Sequence, residues 1–110
     1  MVEKSVDFAI DIVNFYKWLC FERKEYVMSK QILRSGTSIG ANIHEAIYVV
    51  SKKEFIAKMQ IAMKEISETG YWLVVLDRTA FLPEEYYFLK GKCDELKWMM
   101  ISALKTAKEN

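Results

Sequence analysis

The residues able to do chemistry are few and set far apart. His44 is the only histidine, the cysteines are Cys20 and Cys93, and the nearest thing to a carboxylate pattern is Glu65 and Glu68, with Glu45 on another segment. A carboxylate-bridged dimetal centre in a helical bundle needs Glu-x-x-His pairs on two helices. One histidine cannot supply two pairs, so Glu45, Glu65 and Glu68 can be drawn only as an acidic cluster, and His44 reads as a surface or interface residue. The cysteines lack the paired spacings of zinc and redox sites and fall within amphipathic stretches, so both read as reduced, buried, small apolar residues. No glycine-rich phosphate loop, activated nucleophile or cofactor fingerprint is present. The expectation is a protein that is not an enzyme and takes no metal, cofactor or small-molecule substrate.

What must position these residues is a set of helices. The 110 residues fit one domain, 1–110, and 52% hydrophobic with 14% aromatic residues is ample apolar surface for a core. Four glycines and one proline punctuate long stretches in which apolar residues recur at three- and four-residue steps. Phe8, Ile12, Phe15 and Leu19 form the first stripe, and Ser29, Ile32, Gly36, Ile39, Ile43, Ala46 and Val50 the second. Ser51 and Glu54 are spaced as a capping box at the head of a third helix, whose seam runs Phe55, Met59, Ala62, Ile66, Thr69, Leu73, Leu76, Ala80. Pro83 breaks the pattern, and a fourth seam follows through Tyr86, Leu89, Cys93, Leu96, Met100, Ala103 and Ala107. The spacing predicts helices over about 3–21, 26–50, 52–81 and 84–107. Connections too short to cross the molecule make neighbours antiparallel, so the predicted fold is all-α, an up-down-up-down four-helix bundle.

The first residues, Met1 to Asp7, are charged and lack the apolar core of a signal peptide, and the longest apolar run, Tyr71 to Leu76, is far short of the ~20 residues of a membrane span. A cytoplasmic protein with no membrane partner is expected. The net charge of +1 attracts neither nucleic acid nor anionic lipid globally.

Some residues are left over once the seams are assigned. Trp18, Trp72, Val75, Tyr87, Trp98 and Ile101 lie off them, and so many large apolar side chains in one small domain point to contact between subunits. Gly36 and Gly40, four apart in a glycine- and serine-rich helix, can let another helix approach closely. Arg34, Asn42, Glu45, Glu65 and Glu68 flank the seams and are expected to share a hydrogen-bonded network, the alternative being that each is solvated. Between Lys30 and Lys64 the basic residues Lys30, Arg34, Lys52, Lys53, Lys58 and Lys64 give a local surplus of +4, a candidate nucleic-acid surface that oligomerisation would multiply.

Two stretches carry a resemblance. The run Gln31-Ile32-Leu33-Arg34-Ser35-Gly36-Thr37-Ser38-Ile39-Gly40-Ala41-Asn42-Ile43-His44-Glu45-Ala46, and Ser51-Lys52-Lys53-Glu54-Phe55 leading through Ile61-Ala62 and Lys64-Glu65 to Glu68, Tyr71, Trp72 and Leu73, resemble the small bacterial four-helix bundle proteins of intervening sequences in 23S rRNA genes. The resemblance covers nearly the whole chain and implies the bundle together with a ring-like homopentamer. The accessory variability determinant protein of diversity-generating retroelements looks like the same fold, and it implies a reverse transcriptase and RNA or DNA as partners. The family offers no catalytic residues to carry over. Two functions are therefore expected in turn: a homo-oligomeric adaptor that meets nucleic acid through the basic residues of the second and third helices, or a structural or protein-interaction module with no nucleic-acid binding of its own.

Overall fold

A computed structural model describes residues 1–109 of the chain. They form four long helices, α1 (Val2–Arg23), α2 (Met28–Ala46), α3 (Lys52–Arg78) and α4 (Phe88–Glu109), and no strand among the described residues. The helices pack side by side into a four-helix bundle 46 Å long and 20 Å across. The buried stripes follow the periodicity: Phe8, Ile12, Phe15 and Leu19 on α1, Ile32, Ile39 and Ile43 on α2, Met59, Ile66, Leu73 and Leu76 on α3, and Leu89, Leu96 and Met100 on α4. The predicted seams fail at their ends, where Val50 and Ala80 are exposed and Phe55, Tyr86, Ala103 and Ala107 are half-buried. Among the described residues no helix is long and apolar enough to cross a membrane.

Contacts rise along one helix as they fall along the next. On the α1/α2 seam Ser5 lies against Gly40 and Ile12 against Gly36, while Cys20 Sγ is 3.7 Å from Ser29 Oγ. Between α2 and α3, the Thr69 hydroxyl donates to Ser35 Oγ at 2.9 Å, and Lys58 approaches Glu45 to 3.6 Å. Lys90 reaches Asp77 at 2.5 Å and the Cys93 thiol donates to the Ile66 carbonyl at 3.6 Å across α3/α4. The α1/α4 seam is the thinnest of the four. Lys4 pairs there with Glu95, and Lys92 with Asp11 at 2.7 Å.

Helix ends depart from the sequence expectation in instructive ways. The second helix begins at Met28, not 26, because the Glu25 carboxylate accepts from the amides of Val27 (3.2 Å) and Ser29 (2.8 Å) and so caps its first turn. It stops at Ala46, not 50: Ile47 and Tyr48 turn back in i→i−3 bonds to His44 and Glu45, leaving Val49 and Val50 outside the helix, where β-branched residues cost nothing. The third helix ends at Arg78, not 81, and its stop is not Pro83 itself. Ala80 adopts φ 65° and the Phe81 amide returns to the Leu76 carbonyl at 2.7 Å, a Schellman closure completed before the proline is reached. Residues Glu84–Tyr86 are a single 3-10 turn, so the fourth helix starts at Phe88 rather than 84. At the head of α3 the Ser51 hydroxyl accepts from the Glu54 amide at 3.1 Å, the first half of the capping box.

Candidate interaction surface

The polar residues flanking the seams divide into three groups instead of one network. Arg34 on α2 reaches across to α3, donating to Glu68 Oε2 at 2.5 Å and lying 3.3 Å from Glu65 Oε2. Trp72 completes this group, its indole N–H donating to Glu68 Oε2 at 3.3 Å. The second group is Glu45 with Lys58. Asn42 is the third: its amide donates to the Ser38 carbonyl of its own helix at 2.8 Å. The acidic cluster drawn from Glu45, Glu65 and Glu68 is therefore not assembled, since Arg34 holds two of its members and Lys58 the third. Hydrogen bonding to Glu68 is the main influence on the Arg34 guanidinium and holds its pKa above the usual value.

The two glycines serve the chain's own core. A Cβ on Gly36 would lie 2.9 Å from both branches of Ile12, and one on Gly40 would lie 3.3 Å from the Ser5 carbonyl. The helix they admit is α1 of the same chain. Sequence reasoning missed the Ser35–Thr69 pair, fully buried between α2 and α3. Its signal was a threonine on the α3 seam and a serine immediately beside the α2 seam.

The six basic residues do not gather on one face. Arg34 and Lys58 are spent on the ion pairs above. Lys30 stands in the first turn of α2, while Lys52 and Lys53 stand beyond the other end of that helix, roughly 24 Å away at 1.5 Å per residue. Lys64 lines a groove toward α4 with Asp94 and Lys97. Lys30, Lys52, Lys53 and Lys64 make no ion pair among the described residues.

The off-seam apolar residues also part company. Trp18 is partly covered by its own chain, its ring 6.1 Å from Phe15 and 5.8 Å from Tyr86, with Arg23 above it at 5.9 Å. Trp72 and Val75 are half-buried on the outer flank of α3, where Tyr71 meets Trp72 edge-on at 5.0 Å. Trp98 is 64% exposed on α4, with Tyr87 and Ile101 exposed on the same helix and its approach, and Lys97 lies 5.5 Å above its ring. His44 is exposed and faces Tyr48 at 5.4 Å. Both cysteines are free. Burial pushes the Cys93 thiol up to about 12, with Asp94 adding to the shift.

The sequence profile of the family described as 23S rRNA-intervening sequence protein matches residues 1–102. Among solved structures, a protein of unknown function from the S23 ribosomal protein family of Bacteroides thetaiotaomicron VPI-5482 is 51% identical and superposes with a TM-score of 0.92, over 94% of this chain and 97% of that one. No curated protein matches. A profile that runs through all four helices, joined to a neighbour sharing half its residues and the same bundle, means that the chain belongs to the 23S rRNA-intervening sequence protein family.

Proposed function

We propose that this protein is a non-enzymatic interaction module that assembles with itself and works by presenting the outer faces of the assembly to a partner. The observation that carries this reading is the amount of large apolar surface left on outward faces after the core is complete: Trp98, Tyr71, Tyr87, Ile61 and Ile101 are all exposed. Aromatic side chains in this number belong to interfaces more than to solvated surface. The family resemblance favours a closed ring of five, and closed symmetry is the usual outcome when one chain repeats one contact. Light scattering on the purified protein tests it. The expected mass is a multiple of 12.9 kDa, and a single 12.9 kDa species at micromolar concentration would sink the proposal.

Nucleic-acid contact is the second reading, favoured by Lys52 and Lys53, adjacent, exposed and unpaired at the head of α3 among the described residues. Repeated around a ring they would bring many cations to one edge, and affinity for a phosphate backbone rises with the number of phosphates neutralised. In this adaptor reading the assembly holds RNA or DNA, whereas a reverse transcriptase is the kind of protein partner that the interaction-module reading implies. A gel-shift titration with RNA and DNA at several salt concentrations separates the two readings. Binding that weakens with salt and with Lys52→Ala/Lys53→Ala supports the adaptor; no binding at low salt leaves the interaction module alone.

A further inference from the structure

A groove of about 560 Å³ runs along the outside of the α1/α2 seam. Its wall on α1 is Val6, Ile10 and Val13, and its floor is made by the small residues Ala9, Gly40 and Ala41. Val6 is 48% and Ile10 54% exposed although both are aliphatic. Of the ten residues lining the groove, Lys17 and His44 are the basic ones and none is a carboxylate. A concave apolar surface with a lysine at one end and no carboxylate fits a convex apolar ridge that carries a surplus of carboxylate.

Three tryptophans could crown such a ridge, and the charge around each selects among them. Trp18 is engaged within its own aromatic cluster. Trp98 lies under Lys97, which would meet Lys17 as a like charge. Trp72 sits on the α3 flank with Ile61, Glu65 and Glu68, where two carboxylates face one guanidinium and leave a negative surplus. The lengths also agree. Val6 to Lys17 and Ile61 to Trp72 each span eleven steps of helix, about 16 Å at 1.5 Å per residue.

We propose that the α1/α2 groove seats the Ile61–Trp72 flank of α3 from a second copy of this chain. The contact is heterologous, because a groove cannot fill itself: each copy offers a groove to one neighbour and a ridge to another, and the same contact repeats head to tail. This rests on the self-association proposed above, and names the two surfaces that make it.

Two variants at exposed positions test it, Ile10→Asp in the groove and Ile61→Asp on the ridge. Circular dichroism should show both still helical, since neither side chain is in the core. Each alone should fall to the 12.9 kDa monomer. Mixed one to one, they should form a dimer of twice that mass and no more, because each variant keeps the surface the other has lost. A mixture that stays monomeric, or an assembly that survives Ile10→Asp, overturns the groove-and-ridge contact while leaving self-association standing. A wild-type protein that is itself monomeric removes both. Ala41→Trp, which fills the groove without adding charge, should reproduce the effect of Ile10→Asp; retention of the wild-type mass by this variant also counts against the proposal.

Discussion

Single atoms decide where the helices of this bundle can meet. Gly36 is required because Ile12 occupies the space a methyl would need, so Gly36→Ala forces α1 outward. The expected loss is about 1–3 kcal/mol, readable as a lower denaturation midpoint with an unchanged slope. The buried Ser35–Thr69 pair behaves differently: Thr69→Val leaves the Ser35 hydroxyl with only a 3.5 Å bond to the Ile32 carbonyl, at a cost of about 1–2 kcal/mol. Adding Ser35→Ala should recover part of it, because the stranded hydroxyl is then gone. Cys93 gives a pH prediction. Its folded thiol titrates at about 12 against 9.0 for the free group, so the unfolded chain releases this proton first. The stabilising contribution is complete below pH ~9 and is lost as pH rises toward 12, at up to about 1.4 kcal/mol per pH unit. Urea titrations from pH 8 to 10 should therefore show a shallower decline for Cys93→Val than for wild type.

At the scale of elements, the ends of the helices were harder to read than their faces. A seam is announced by four or more apolar residues in phase, and each of the four was legible for that reason. An end depends on one or two residues. The Glu25 carboxylate that starts α2 was hidden in a charged cluster, and the stop of α3 lies at an alanine, which no rule of composition singles out. Ala80 pays for its left-handed backbone, φ 65°, with the crowding of its Cβ. Ala80→Gly removes that crowding, offset in part by the greater freedom of glycine in the unfolded chain. A net gain of about 0.5 kcal/mol, roughly 2–4 °C in Tm, is expected by calorimetry.

For the whole molecule, the question is what the outer faces are for. If copies assemble through them, folding and assembly are linked, and Tm must rise with protein concentration. Scans across a hundredfold concentration range should show this for wild type and not for Ile10→Asp. A Tm independent of concentration in wild type would mean that assembly adds nothing to stability. The basic residues are a lesson in the limits of counting charge along a chain. Six cations within 35 residues looked like a patch, yet two are neutralised by carboxylates from a facing or neighbouring helix and the others lie at different ends and sides of a 46 Å rod.

Periodicity alone determined that this chain is helical, that its described residues form four helices and which residues make up most of its core, because burial of an apolar stripe is a local pattern repeated many times along each segment. Val50 and Ala80, on the predicted seams, are exposed where the helices have already ended, and Leu82, on none, is buried. Partnership across seams was a matter for the tertiary structure. Arg34 could have met any of several carboxylates, and only the register of α2 on α3 brings it to Glu65 and Glu68. The glycines could have admitted a foreign helix, and only the position of α1 shows that they admit their own. Trp18, Trp72 and Trp98 were equivalent as letters, and their neighbours in space, an aromatic cluster, a carboxylate and a lysine, are what make them different surfaces.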